Sequence, residues 1–386
     1  MKNIALLNKI GAAGLKQFDV GAYNIGCEAA EADAIMVRSA AMHDMEFGKD
    51  LLAIARAGAG VNNIPVDRCA EEGIVVFNTP GANANGVKEL TIAALLLASR
   101  NIAGGITWAN GLAGEENVAK AVEAGKSAFV GPELMGKTLG VIGLGAIGGL
   151  VANCAKSLGM TVIGCDPFLT VDNAWHLSRS IIKANSFDEV FEKSDYISVH
   201  VPSTKDTKGM FNARSFSLMK DGVRIVNLSR ADLVNVADLK AAIADGKVAA
   251  YVTDFPTNDT INCDKIVCIP HLGASTPESE ENCALMAANE LIDYLENGNI
   301  KNSVNYPNID LPRQAKNRII VLHENVPNIV AQVSAVLSSD GANIEAMLNR
   351  SKGNNACSVL ETNNDVTDKM VADIKAIEGV RRVIAL

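Results

Sequence analysis

The stretch "VIGLGAIG" at residues 141–148 carries three glycines in the spacing G-x-G-x-x-G. An apolar strand pattern, "KTLGVI" (137–142), leads into it, and apolar residues at helical spacing follow in "LVANCAKSL" (150–158). A second apolar strand, "TVIGC" (161–165), ends in Asp166, 18 residues after Gly148. This order predicts a βαβ unit that binds a dinucleotide, and a purely structural glycine turn is the alternative.

Each residue of this motif has a physical role in a dinucleotide site. Gly143 permits the tight turn, Gly145 lets backbone N–H groups approach a pyrophosphate, and Gly148 allows close packing of helix on strand. The helix N-terminus adds partial positive charge. Asp166 would accept hydrogen bonds from ribose hydroxyls and repel a 2′-phosphate, and "PFL" (167–169) offers no Arg to receive one. The motif therefore favours NAD over NADP.

Length and composition are typical of a packed globular protein. A chain of 386 residues should form two or three domains, and its net charge of −9 argues against a nucleic-acid surface. The 8 cysteines are scattered singly, without metal-site spacing, which predicts free thiols in a reducing cytoplasm. The apolar run at 90–98 is much shorter than the ~20 residues of a membrane span, and no signal peptide is recognised.

The order of the predicted elements divides the chain into three parts. Residues 1–85 alternate short apolar strands (3–8, 34–38, 52–58, 74–77) with helical patches, which predicts a parallel, doubly wound sheet. A second such sheet begins near Lys137, with further strands at 196–201, 224–229, 248–253 and 265–270. After a helix at 277–296, the polar segment 297–316 is typical of a linker. The last 70 residues predict a βαββαβ, ferredoxin-like order.

Three polar residues follow predicted strands of the second sheet: Arg230, Asp254 and His271. Ligands of open α/β sheets bind beyond the carboxyl ends of the strands. Individually, these residues have structural alternatives: a surface ion pair, a turn cap and a packed imidazole. Together they suit hydride transfer, because an imidazole can take the proton of a secondary alcohol while a guanidinium holds a neighbouring carboxylate.

At this point the chain resembles a known family. The segments "GLGAIG" with Asp166, "HVP" (200–202), "NLSR" (227–230), Asp254 and "PHLGAST" (270–276) are similar to the D-2-hydroxyacid dehydrogenases, over residues 1–305. The resemblance implies a flavodoxin-like substrate-binding domain (1–86 and 276–306), a Rossmann NAD-binding domain (87–275) and a linker (307–316). It also implies a homodimer or homotetramer.

The resemblance assigns roles to individual residues. Arg230 would bind the substrate carboxylate and polarise its C2 oxygen, His271 would be the general acid and base, and Asp254 would face the nicotinamide carboxamide. The remaining cofactor contacts implied are Ala146, Ile147, His200, Val201, Pro202, Leu228, Ser229, Gly273 and Ala274.

Substrate residues are implied in the same way. Asn83 and the backbone of Ala59 and Gly60 would contact the carboxylate, and segments such as "VRSA" (37–40) are similar to members that act on a phosphorylated 2-hydroxy acid. Arg38 and Lys126 are then the cations for the phosphate. Each has a solvated-surface alternative, but Arg38 directly follows the apolar strand "AIMV".

The loop after Asp254 departs from the family pattern. The family has a Glu partner for the catalytic His shortly after this Asp, whereas "TDFPTNDTINCDK" (253–265) contains none. Counting without a gap assigns the role to Asp259, one methylene shorter. Asp264, or no partner at all, is the alternative.

The C-terminal segment beginning "HENVPNIV" (323–330) resembles an ACT domain, a small-molecule regulatory module. The resemblance implies that His323, Asn325 and Asn343 bind an amino-acid effector, serine being the first candidate. A glycine usually follows the Pro of this turn; Asn328 stands there, and Asn tolerates the left-handed conformation. A structural or dimerising domain without ligand is the alternative.

Three functions are consistent with these patterns. The first is NAD-dependent oxidation of a phosphorylated 2-hydroxy acid. The second is reduction of hydroxypyruvate, glyoxylate or another 2-ketoacid on the same scaffold. The third is a corepressor-like NAD sensor, against which the presence of both Arg230 and His271 argues.

Overall fold

The computed structural model describes all residues from 1 to 386. Its strands, in chain order, are β1 (Lys2–Leu7), β2 (Tyr23–Cys27), β3 (Ala34–Val37), β4 (Ala53–Arg56), β5 (Val75–Asn78), β6 (Thr138–Ile142), β7 (Thr161–Cys165), β8 (Ile182–Lys183), β9 (Tyr196–Val199), β10 (Val223–Asn227), β11 (Val248–Thr253), β12 (Ile266–Cys268), β13 (Asn317–Glu324), β14 (Ile344–Lys352), β15 (Asn355–Thr362) and β16 (Val380–Ala385).

The α-helices are α1 (Ala12–Leu15), α2 (Val66–Glu71), α3 (Ala84–Ser99), α4 (Ile102–Asn110), α5 (Val118–Gly125), α6 (Ala146–Ser157), α7 (Val171–Trp175), α8 (Phe187–Lys193), α9 (Ala213–Leu218), α10 (Val236–Ala244), α11 (Pro277–Asn297), α12 (Ile329–Ser339) and α13 (Asp368–Lys375). No single one of these helices combines the length and apolar character needed to cross a bilayer. Only α3 and α4 taken together reach that length and apolar character, and the chain bends by 72° between them.

The chain forms two compact units, one made of residues 1–82 and 277–386, the other of residues 83–276. The first unit begins with a parallel sheet in the order β2-β1-β3-β4-β5, which is the flavodoxin-like arrangement. All four residues of β3, "AIMV", are buried, as expected for a parallel strand covered on both faces. Helix α11 packs against β4 and against α1.

The second unit holds a seven-stranded parallel sheet in the order β12-β11-β10-β9-β6-β7-β8. Strand order reverses between β9 and β6, so the glycine turn after β6 lies at the point where ligands bind in doubly wound sheets. The helices α3 and α6 pack on one another in this unit. The parallel α/β fold predicted from the sequence is therefore confirmed for both sheets.

The C-terminal residues form an antiparallel sheet in the order β14-β15-β13-β16, and their elements follow one another as βαββαβ. One face of this sheet carries α12 and α13, whose apolar residues form a small core with Ile319 and Val321. The other face joins the core of the first domain, where Ile320 and Leu322 lie with residues of α11. The two domains of the first unit thus share one apolar core.

The segment 297–316, predicted as a linker, is largely packed into that shared core. Ile300 and Ile309 pair as an antiparallel bridge, and both are buried together with Tyr306. Where it enters β13, the guanidinium of Arg318 donates to the carboxylate of Glu361 and to the carbonyl oxygens of Asn297 and Leu311. Both charged side chains are fully buried, and the bonds of Arg318 to Asn297 and Leu311 join the C-terminal sheet to the segment that precedes it.

Candidate active site

The glycine turn has the shape that a pyrophosphate cradle requires. Gly143 has a φ of +85°, and a β-carbon there would lie 2.5 Å from the carbonyl oxygen of His200. A β-carbon on Gly148 would lie 1.9 Å from the carbonyl oxygen of Gly143. At Gly145, the residue before α6, a β-carbon would meet nothing within 4 Å. Packing therefore requires the outer two glycines, while the middle one leaves the helix N-terminus open to a ligand.

Asp166 follows β7 and lies beside this turn. One carboxylate oxygen accepts the N–H of Leu144 at 2.8 Å and the other accepts the N–H of Phe168 at 2.8 Å. These bonds hold the carboxylate next to the turn, half-exposed, with lone pairs left for hydroxyl donors. Ala146 and Ile147 form the first turn of α6.

The side chain of His200 packs beside the glycine turn and is engaged within the protein. Its Nε2 lies 2.8 Å from the hydroxyl of Ser198, its Nδ1 is buried without a partner, and burial lowers the pKa of the imidazole to about 4. Its backbone N–H donates to the carbonyl of Ile142 at 2.7 Å. The ring is therefore neutral at physiological pH, and contacts of His200, Val201 and Pro202 with the cofactor stay predictions.

The three polar strand ends come together around an aromatic ring that the sequence does not predict as part of the site. The ring of Phe255 lies 4.6 Å from the ring of His271, and the guanidinium carbon of Arg230 lies 5.9 Å from the Phe255 ring centre. Both Arg230 and His271 are exposed. An imidazole and a guanidinium thus lie on either side of one aromatic ring in this unit.

Asp254 lies beneath these groups. It is 1% exposed and one carboxylate oxygen, Oδ1, has no hydrogen-bond partner. Burial raises the pKa of this carboxyl, while the positive charges of His271 and Arg230 oppose the shift. A buried acceptor without a donor fits the amide N–H of a nicotinamide, as the resemblance implies.

The backbone of Arg230 is fixed by Asn227, the first residue of the "NLSR" segment, to which the sequence predictions assign no role of its own. The Asn227 amide donates to the carbonyl of Arg230 at 2.8 Å and to the Tyr251 hydroxyl at 3.1 Å, and its oxygen accepts the N–H of Ser229. The Ser229 hydroxyl donates to the carbonyl oxygen of Val199, and the side chain of Leu228, the residue between Asn227 and Ser229, is buried. The turn after β10 is therefore rigid, which orients the guanidinium.

The structure shows neither a hydrogen bond nor an ion pair between Asp259 and His271. Thr260 is buried and its hydroxyl accepts the N–H of Thr257, so this turn leaves the neighbouring Asp259 side chain exposed to solvent. Asp264 is exposed as well, and no ion pair joins either carboxylate to His271.

Gly273 and Ala274 follow His271 in the chain; a β-carbon on Gly273 would approach Val87 at 3.1 Å.

Two arginines end adjacent strands of the first unit. Arg38 follows β3, and Arg56 ends β4 paired in register with Val37. Arg38 forms an ion pair with Glu280 at 2.7 Å, and Nε of Arg56 donates to the carbonyl of Arg38 at 3.1 Å. Burial lowers the pKa of Arg56, and the charge of Arg38 acts in the same direction. Two cations this close favour an anion between them; of the two, the sequence predicts only Arg38.

The loop after β4 presents free backbone donors. The N–H groups of Ala59 and Gly60 make no hydrogen bond within the chain, while the carbonyl of Ala59 accepts the amide of Asn78 at 2.6 Å. The loop is held from one side and open on the other, which suits a carboxylate.

Two other predicted substrate residues belong to the second unit. Asn83 precedes α3, and its side chain makes no capping bond. Lys126 pairs with Glu123, and both side chains are well exposed at 61% and 70%. A local, solvated ion pair is the surface alternative foreseen for Lys126.

The predicted effector residues are separately engaged. His323 is buried, with Nε2 3.0 Å from the Ser358 hydroxyl and Nδ1 2.7 Å from the carbonyl of Glu324. Asn325 donates to Gly353 and Asn343 to Glu345. Asn328 has the left-handed φ of +75° expected of it.

Comparison with known proteins decides the family. The sequence model of the D-isomer specific 2-hydroxyacid dehydrogenase NAD binding domain matches residues 92–273. The D-3-phosphoglycerate dehydrogenase of Escherichia coli K12 is 34% identical over 345 residues, which cover 86% of this chain and 80% of that protein. The chain belongs to the D-isomer specific 2-hydroxyacid dehydrogenases.

Further members of this family agree in sequence and structure. The D-3-phosphoglycerate dehydrogenase of Archaeoglobus fulgidus is 38% identical over 291 residues, covering 72% of this chain and 52% of the relative; the chain thus spans about half the length of that protein. The NAD⁺-bound 3-phosphoglycerate dehydrogenase of Entamoeba histolytica superposes with a TM-score of 0.60 at 26% identity, covering 79% of this chain and 98% of that one.

This 2-hydroxyacid dehydrogenase uses NAD, and its residues fit that cofactor. The open face at Gly145, the carboxylate of Asp166 and the orphaned oxygen of Asp254 follow three strands of one sheet. Lacking an arginine after Asp166, the chain offers no partner there for a 2′-phosphate.

Proposed function

We propose that this dehydrogenase oxidises D-3-phosphoglycerate to 3-phosphohydroxypyruvate, the first step of phosphorylated serine biosynthesis. The observation that carries the substrate assignment is the pair of guanidinium groups, Arg38 and Arg56, at adjacent strand ends of the first unit. The relatives from Escherichia coli and Archaeoglobus fulgidus, both D-3-phosphoglycerate dehydrogenases, support it.

The chemistry needs a proton acceptor and an anchor for the substrate. NAD, when bound, accepts the hydride that leaves C2. The imidazole of His271 takes the proton of the C2 hydroxyl as the C–O bond becomes a carbonyl and then releases it to water. In the reverse direction the imidazolium donates a proton to the C2 oxygen. The guanidinium of Arg230 holds the carboxylate in two hydrogen bonds and polarises the C2 oxygen.

The surrounding residues make this arrangement rigid. Phe255 contacts both Arg230 and His271, so it sets their separation. Asn227 fixes the turn that carries Arg230. Burial raises the pKa of the Asp254 carboxyl, while the positive charges of His271 and Arg230 favour its ionised form, so Asp254 is coupled to both groups.

Replacing His271 by Ala tests this mechanism. The variant should lower kcat by about 10²–10⁴-fold, because the general base is lost, while NADH binding measured by fluorescence stays nearly unchanged. Unchanged turnover would remove His271 from the mechanism.

The phosphate assignment is tested by comparing two substrates. Arg38→Ala should raise KM for 3-phosphoglycerate by roughly 10–100-fold, the loss of a charge-assisted contact, and should leave activity on D-glycerate nearly unchanged. Lys126→Ala, which removes a solvated cation of the second unit, is the matched control. The quantity to measure is the ratio of kcat/KM for the two substrates.

The ion pair between Arg38 and Glu280 favours one alternative. A guanidinium already neutralised by a carboxylate suits an enzyme whose substrate has no phosphate, namely a reductase of hydroxypyruvate, glyoxylate or another 2-ketoacid. A substrate ratio that Arg38→Ala does not move would favour this second function.

We further propose that the C-terminal domain is an ACT domain and that serine acts on it as effector. The βαββαβ order and the left-handed Asn328 support the assignment. Addition of L-serine should lower the initial rate of the full chain, which we expect to be a homodimer or homotetramer by light scattering. No change in rate at saturating serine would leave the domain a structural or dimerising role.

A further inference from the structure

A cavity of about 550 Å³ lies in the first unit along α11, and none of the assigned roles uses it. Its volume is in the range of small-molecule sites. We call it the α11 groove. The groove is lined by one face of α11, by the segment that follows this helix and by one residue that precedes α3. These residues are Ala82, Asn282, Leu285, Met286, Asn289, Glu290, Asp293, Asn299, Lys301 and Asn302.

Glu290 is the unusual group of the α11 groove. It is 7% exposed; one carboxyl oxygen accepts the amide of Asn302 at 2.7 Å, and the other, Oε2, is buried without any hydrogen-bond partner. Buried carboxyl oxygens are almost always satisfied in folded proteins. This one lines a cavity that a ligand can enter.

The other charges of the groove are already neutralised. Lys301 pairs with Asp293 at 3.5 Å and with Asp310 at 3.1 Å, and the amide of Asn299 also donates to Asp293. The ammonium of Lys301 is thus committed to these two carboxylates. Glu290 is the ionisable side chain of the groove that has no charged partner.

The lining selects the chemistry of the occupant. An anion would meet two carboxylates, and the groove has no third metal-ligating group to complete a cation cage. The side-chain amides of Asn282 and Asn289 make no hydrogen bond within the chain, so their oxygens can accept further donors. Leu285 and Met286 supply an apolar wall. Several acceptors beside apolar surface match an alkyl chain ending in –NH₃⁺.

We propose that the α11 groove binds a small primary ammonium compound, with the carboxylate of Glu290 as its counter-ion. This site is independent of the proposed dehydrogenase reaction, since neither Arg230 nor His271 takes part in it.

The site predicts a characteristic linkage between ligand and proton. Burial raises the pKa of Glu290 to about 8, so the empty site holds a neutral acid at pH 7. An ammonium ligand binds the ionised form, and the proton of Glu290 must leave. Affinity should therefore rise as pH rises towards 8 and level off above it, while a primary ammonium, with a pKa near 10.4 like that of Lys, stays charged. Asp293 and Lys301, the other titratable groups facing the groove, pair with each other.

Calorimetric titration of the full chain with n-butylammonium chloride tests the proposal. Millimolar binding is expected for so small a probe, with roughly 20-fold higher affinity at pH 8.5 than at pH 6.5. About one proton should be released at pH 6.5, measured as the dependence of the heat on buffer ionisation enthalpy. Neutral n-butanol should bind at least about 10-fold more weakly, because it lacks the charge. Sodium chloride of equal concentration corrects for ionic strength.

Two variants assign the effect to the α11 groove. Glu290→Gln keeps the acceptor for Asn302 and should abolish both binding and proton release; Glu278→Gln, an exposed carboxylate of the same helix, should change neither. Leu285→Trp fills the cavity without touching the carboxyl and should also abolish binding, so the test survives if Glu290→Gln folds poorly. Absent binding, equal binding of n-butanol, or binding retained in a folded Glu290→Gln or Leu285→Trp variant would overturn the proposal.

Discussion

The two glycines at the start of α6 should fail in different ways when each gains a methyl group. At Gly145 the new β-carbon meets no protein atom within 4 Å, and the backbone φ of −70° suits any residue. The free energy of unfolding without cofactor should therefore fall by less than about 1 kcal/mol in Gly145→Ala. NADH affinity should fall roughly 10–100-fold, because the methyl displaces the pyrophosphate from a charge-assisted bond of about 1.5–3 kcal/mol.

Gly148→Ala is the matched comparison. Its β-carbon would lie 1.9 Å from the carbonyl oxygen of Gly143 and 2.9 Å from the carbonyl carbon, so helix and strand must move apart. Overpacking of this kind costs about 1–3 kcal/mol, which should appear in urea unfolding of the cofactor-free protein. NADH fluorescence titration and urea unfolding of both variants measure the contrast. Wild-type NADH affinity in Gly145→Ala would refute the reasoning.

Three further outcomes follow from the structure. Asp166→Ala should improve the use of NADP relative to NAD, because a repelling carboxylate is removed; kcat/KM ratios for the two cofactors equal to those of the wild type would contradict this. Asp259→Asn and Asp264→Asn should each keep kcat within about twofold, since both side chains are exposed, and a tenfold loss in either would identify it as the partner of the imidazole base. Glu361→Gln should lower the free energy of unfolding by about 3–5 kcal/mol in urea, since it leaves Arg318 buried and unpaired.

Much of the fold is visible in the sequence because parallel strands are short and wholly apolar. β11 (Val248–Thr253) and β7 (Thr161–Cys165) have the predicted bounds. The sequence does not predict β2, because "YNIGC" is short and half polar, as an edge strand can be. The helices α4 and α5 were missed as well; neither has a buried residue, so neither shows a core-facing pattern.

The candidate site was predictable where chain position alone carries the information. Arg230, Asp254 and His271 follow predicted strands, so topology brings them to one edge. The sequence does not predict Phe255, because no pattern shows that an aromatic ring lies between two polar groups. It does not predict Arg56 either, because no pattern shows that the last residue of an apolar strand lies beside another arginine. The side-chain direction of Asp259 depends on one turn, which no spacing rule fixes.

The apolar core shared by the first and C-terminal domains means that the C-terminal domain cannot be removed without exposing apolar surface. The sequence suggests a detachable module after residue 316, yet Tyr294, Ile300 and Tyr306 lie in the same core as Ile320 and Leu322 of the antiparallel sheet. A gene shortened at residue 316 would encode a protein with a bare apolar wall, prone to aggregate. Recombination that transfers the C-terminal domain to another protein must therefore also transfer the surface of the first domain on which it packs. The two domains should accordingly be inherited together.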